Sequence, residues 1–184
     1  MKLKSFLISI CLVFIYSVSH SQPYNTARLS LIQSQQVEVY VNSFDEIENG
    51  ITVPGGTVLG VTLQDLNDPS APAPLSGFEI FVRTNNGISS NFEGINGNSM
   101  DLDILSLTSS NRQGFGSSTF FYGPLSLDQI SQLIVESTLT NCDWSTHQIN
   151  VQYEFGTANC TSKFTSFKSD FYTVEVEFIL EPVF

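Results

Sequence analysis

The stretch NCDWSTHQINVQYEFGTANC, residues 141–160, gathers Cys142, Cys160, His147 and Trp144. Three chemistries could use such a set. Zinc takes four ligands, usually with CxxC spacing, and two cysteines with one histidine fall short of it. A serine triad would have to recruit His147, with Ser145 and Asp143 beside it. A triad is assembled from separate elements around a supported nucleophile, and no G-x-S-x-G elbow occurs. The third chemistry is a disulfide. Gln148–Phe155 has strand period and would span about 23 Å. Its flanks, helped by a turn at Gly156, can fold back to bring the two Cα atoms within the roughly 4.4–6.8 Å a bridge needs. Closing that loop is worth about 3 kcal/mol in the chain-entropy model. Cys142 and Cys160 are therefore expected to pair. Neither is then a nucleophile, and His147 reads as a polar strand-end residue. Trp144 either packs near the bridge or stands on the surface as a contact.

Paired carboxylates are the other reactive pattern. Asp101 with Asp103, and Glu175 with Glu177, have strand spacing, so each pair is expected to project from one face. Glycoside hydrolysis needs two carboxylates across a cleft, and a solvated strand face gives the same pattern. The loops Asp65-Leu66-Asn67-Asp68 and Asp45–Asn49 offer oxygens for calcium but lack the EF-hand series. No catalytic residue, metal site or cofactor is assigned, and the chain is read as not an enzyme.

The disulfide reading depends on compartment. Lys2 and Lys4 precede the apolar run Phe6–Tyr16, and Ser19-His20-Ser21 supplies small residues at the positions a signal peptidase reads. Residues 1–21 are expected to be a signal peptide, taking Cys11 with them, and residues 22–184 one domain. No second apolar segment is long enough for a transmembrane helix. The net charge is −11. The expected mature chain keeps only Arg28, Arg83, Arg112, Lys163 and Lys168 as strong cations, which excludes nucleic acid as a partner. The chain is placed outside the cytoplasm, secreted or at the cell surface.

The elements that must position these residues have period two. QINVQYEF puts Ile149, Val151, Tyr153 and Phe155 on one face, and YTVEVEFIL does the same with Tyr172, Val174, Val176, Phe178 and Leu180. VEVYV, FEIFVR and TVLGVTL alternate likewise. These read as antiparallel strands with one wet face. Pro54-Gly55-Gly56, Asn85-Asn86-Gly87, Asn96-Gly97-Asn98 and Gly114-Phe115-Gly116 read as reversals between them. Ser126 and Gln129 have capping-box spacing ahead of Ile130, Leu133 and Ile134, which predicts one short helix near residues 126–134, with the β-prone LIVEST as a strand into which it can pass. The fold expected is an all-β antiparallel sandwich, Ig-like or pilin-like. The terminal Phe184 after an alternating strand also has the form of a membrane-barrel strand, against which stand Pro182 and strands shorter than the roughly 9–11 residues required.

GFEIFVRTNNG, LSLDQISQLI, INVQYEF and YTVEVEFIL, in that order, resemble exported β-sandwich proteins of Bacteroidetes of the pilin-like or adhesin-like kind, over roughly the last two thirds of the chain. Phe78 departs from the pattern, standing where a tryptophan is expected. The resemblance implies a surface or fibre subunit without catalytic residues. It also implies association by strand donation, for which Ala27, Leu29 and Leu31, alternating with Arg28 and Ser30, form a candidate donor. An ordinary first strand is the plainer reading of that segment. The partners expected are other protein subunits or cell-surface components, in a homo-oligomer or fibre. The alternative is a carbohydrate- or ligand-binding module, with Trp144, Tyr122 and Phe81 as candidate contacts.

Overall fold

The computed structural model describes residues 26–33, 36–65, 73–84 and 90–184. The expected signal peptide, the Asn85-Asn86-Gly87 turn and most of the Asp65–Asp68 loop lie outside them. The strands are β1 (Thr26–Gln33), β2 (Ile51–Gln64), β3 (Gly77–Thr84), β4 (Asn91–Gly94), β5 (Ser99–Asp101), β6 (Leu105–Gln113), β7 (Thr119–Phe121), β8 (Leu125–Ser126), β9 (Gln132–Ser137), β10 (Asn141–Cys142), β11 (Gln148–Phe155), β12 (Tyr172–Thr173) and β13 (Val176–Val183). One helix, α1 (Phe44–Asn49), precedes β2. The chain is all-β and sandwich-like.

One sheet runs β1-β2-β11-β6-β8, with β10 also on β2. A second runs β13-β3-β9-β7, and a small third runs β12-β4-β5. The two larger sheets enclose one apolar cluster. Alternation selects its members: Leu59, Val61 and Leu63 from β2, Phe78, Ile80 and Val82 from β3, and Ile149, Val151 and Tyr153 from β11 are all buried. Phe115 fills the centre, 6.2 Å from Phe78, 5.9 Å from Phe121 and 5.3 Å from the His147 ring.

The sandwich is closed along one side. The chain crosses between the sheets after β7, and the Tyr122 carbonyl accepts the Ser109 amide from β6 while its own amide bonds the Ile134 carbonyl of β9. The buried Ser109 hydroxyl donates to the Tyr122 and Ile134 carbonyls. Along the other side β1 and β13 touch without sharing a ladder.

Four local expectations are corrected. No helix forms over residues 126–134. The Leu127 amide bonds the Leu105 carbonyl, the Asp128 carbonyl takes the Thr84 amide, and Asp128 Oδ1 accepts the amides of Gln129 and Ile130. These bonds leave the capping spacing no helix to cap, and QLIVES enters the ladder as β9. The working capping box is Ser43 with Glu46, at the start of α1. Val37–Val41 forms no strand, and its residues are exposed or half-buried. YTVEVEFIL is split, with Tyr172–Thr173 pairing β4 and Val176 onward pairing β3. Tyr172, Val174, Val176, Phe178 and Leu180 still all pack on the core. Pro54-Gly55-Gly56 is not a reversal but a bulge within β2. There Val151 faces Thr57 and Tyr153 faces Val53, and Gly55 takes φ +60°. A Cβ on Gly56 would lie 2.6 Å from the Tyr153 ring, whose hydroxyl bonds Thr57 at 2.7 Å.

Phe78 is fully buried and touches the central Phe115. Phe78→Ala is expected to lower the unfolding free energy by about 3–5 kcal/mol, read as a drop in the urea midpoint at unchanged slope.

Candidate functional site

The cysteine stretch lies along β2. Cys142 faces Leu63 and Gln148 faces Gly60, so the chain spends six residues where β2 advances three. The surplus, Asp143–His147, loops outward and rejoins when the His147 carbonyl takes the Val61 amide. Asp143 organises the loop. Its carboxylate accepts the Ser145 hydroxyl at 2.5 Å and the Ser145 amide at 2.8 Å, which together hold its pKa below the usual carboxylate range. His147 Nδ1 accepts the Asp143 amide at 3.2 Å. Ser145 therefore serves Asp143 and has no bond to His147, so the three do not form a triad relay.

The expected bridge is corrected: Cys142 and Cys160 are free, buried thiols. Cys142 sits at the Leu63 end of β2. Cys160 sits beyond Phe155, which faces Ile51, and its thiol donates to the Glu154 carbonyl. At about 3.3 Å per residue the ends of β2 are separated by roughly 30 Å or more, far beyond disulfide reach. The flank fails to fold back because Asp143–His147 continues along the β2 edge. Burial pushes the Cys142 thiol up to about 11, which removes its thiolate at neutral pH.

The carboxylate pairs do not converge. Asp101 ends β5, whereas Asp103 lies in a 3₁₀ turn over Leu102–Ile104, so they share no strand face. Asp101, Asp103 and Asp128 line a depression of about 240 Å³. Glu177 pairs with Arg83 at 2.9 Å. Asp45–Asn49 belongs to α1, not to a calcium loop. Among the described residues, no three His, Cys, Asp or Glu side chains are grouped to hold a metal ion. No helix among them is long and apolar enough to cross a membrane.

Ala27, Leu29 and Leu31 lie in β1, opposite Leu63, Val61 and Leu59 of the same chain. Of the three, only Leu29 is packed against the core, and Leu31 is 47% exposed. The aromatic contact candidates are divided. Trp144 is on the six-stranded sheet, with its Cβ 3.1 Å from where a Cβ on Gly60 would lie. Phe81 is on β3 and Tyr122 follows β7, both on the other sheet, with the Tyr122 hydroxyl on Glu136.

Two charge patterns were not read from the sequence. On the solvent face of the four-stranded sheet, Glu181 faces Glu79, and Glu79 faces Glu136, making a row across β13, β3 and β9. On the solvent face of the six-stranded sheet, Arg112 of β6 reaches across β11 and β2 to Gln33 of β1, 3.3 Å away. Only the outer side leaves room for that reach, since the inner side holds the core. Ile32 and Trp144 flank Gly60 on the same side. Alternation with Ala27 and Leu29 places Arg28 there too. Apart from these faces, Asp170 clamps the β4–β5 hairpin, accepting Nδ2 of Asn96 and of Asn98 and the amides of Asn96 and Phe171. The motif signal available was Asn96-Gly97-Asn98 alone, without its distant acceptor.

Compared with known proteins, the chain matches no family model and no curated protein.

Alkylation under non-reducing denaturing conditions is expected to label both Cys142 and Cys160, while the folded protein labels slowly. A mature chain that takes up no label when unfolded would restore the bridge. Burial alone would raise the Asp170 carboxyl, but its Asn98, Phe171 and Asn96 donors outweigh that and hold it low. A depressed folded pKa contributes stability that is present above the unfolded carboxylate pKa and is lost as pH falls through the folded value. Asp170→Asn should therefore flatten the acid limb of the stability–pH curve and speed amide exchange at Asn96.

Proposed function

We propose that this protein is an exported, non-catalytic structural subunit of a surface or fibre assembly, acting through protein–protein contacts. The observation that carries the reading is β1. Among the described residues it is the first strand and lies at a sheet edge, with six of its eight residues exposed. Its pairing with β2 runs antiparallel from Thr26–Gln64 to Gln33–Val58. The same register can be made by a second copy's β1, so exchange would cost little beyond the packing of Leu29. The resemblance to pilin-like and adhesin-like sandwiches supports the same reading.

A lock tests it. Thr26 and Gln64 face each other, so Thr26→Cys/Gln64→Cys, in a Cys142→Ala background, should fasten β1 to its own chain when oxidised. In half-molar salt, where charge contacts between copies are screened, the reduced mature protein is expected to form large regular assemblies by electron microscopy and size-exclusion chromatography, and the oxidised form to remain monomeric. Monomers in both states would count against the subunit reading.

A further inference from the structure

We propose that copies of this chain also stack face to face, the arginine-bearing face of the six-stranded sheet lying on the glutamate-bearing face of the next copy's four-stranded sheet. The inference rests on the structural-subunit reading and adds to it a second, independent contact.

The glutamate row is the first observation. Glu181, Glu79 and Glu136 occupy directly opposed positions on three neighbouring strands. Strands are about 4.8 Å apart, and like charges set opposite one another destabilise a sheet. Among the described residues no cation pairs with this row: Arg83, four residues from Glu79 along β3, is taken by Glu177 at 2.9 Å. Glu136 has the Tyr122 hydroxyl as a donor, a neutral group that brings no positive charge to the row.

The opposite face is the second. Among the described residues, neither Arg28 nor Arg112 pairs with a carboxylate, and Arg112 is held only by the neutral Gln33. Its acid Glu154 is already bonded to Gln152, Thr157 and Asn159. In a chain with 18 acidic residues, two arginines without acidic partners on one face are the complement of three glutamates without cations on the other. Each face also carries exposed apolar surface: Trp144 and Ile32 on the first, Phe120 beside Glu136 on the second.

These faces point away from one another, on the two sides of the sandwich. A contact between them is heterologous, so it does not close into a two-fold dimer. It extends into an open stack. Sheets pack about 10 Å apart, which sets a repeat of about 20 Å per subunit along the stack. Strand exchange through β1 would instead join subunits edge to edge.

Charge reversal tests the pairing in the mature protein. Sedimentation is expected to show concentration-dependent association at low salt that weakens at least tenfold in half-molar salt. R28E/R112E and E79K/E136K/E181K should each lose association at least tenfold. The first variant then has two acidic faces and the second two basic ones, so an equimolar mixture should recover assembly with alternating copies. Unchanged circular dichroism checks the fold, and the isosteric E79Q/E136Q/E181Q gives a second test should the lysine variant fail to fold. The oxidised β1 lock should leave this association intact. Assembly insensitive to both reversals, or no recovery on mixing, would overturn the stacking contact and leave the subunit reading standing. No assembly under any condition would remove both.

Discussion

The double-sided pairing of β2 organises the molecule. Its fourteen residues carry β1 on one edge and β10 and β11 on the other. Side chains alternate along a strand, so a slip of one residue would turn Leu59, Val61 and Leu63 out to water. The same register sends Gly60 outward, beneath Trp144 and Ile32, where a Cβ would come within 2.7 Å of the Ile32 side chain. Both the core and the outer surface of the larger sheet thus follow from one alignment.

Where the pairing is interrupted, the chain bulges and continues along the same strand pair and is not turned back. Pro54–Gly56 leaves the ladder on β2, and Asp143–His147 leaves it between β10 and β11. The second diversion explains the separated thiols. Asp143 and His147 hold the loop closed on itself, so Cys142 and Cys160 stay at opposite ends of a long strand pair. Stability in this part of the fold comes from buried apolar contacts and satisfied hydrogen bonds. The Ser109 hydroxyl between the sheets and the Thr57–Tyr153 pair are two such bonds.

Charge is distributed by the same alternation. Core positions leave none of the acids on the inner face of β3 or β13, so Glu79 and Glu181 stand together outside. The sheet brings them into line with Glu136, and one chain has too few cations to answer all its carboxylates. Edge strand β1 and the two charged faces are therefore the places where this fold is left with pairing capacity in hand.

The apolar faces of Gln148–Phe155, Phe78–Val82 and Val58–Leu63 were legible in the sequence because strand period needs no knowledge of neighbours. The all-β class followed from them. The partner of each strand was not legible. Val37–Val41 alternates as well as any segment but joins no ladder, and Ser126–Ile134 has a helix-start spacing that ladder bonds override. The cysteines had the count and spacing of a bridge, yet their separation depends on where β11 lies along β2. The glutamate row likewise consists of residues 45 or more apart in sequence. Periodicity is a local property of the chain, so the amino-acid order alone determined it. Pairing, register and the meeting of distant charges depend on which edges remain free after the other strands have docked, and only the tertiary structure decided those.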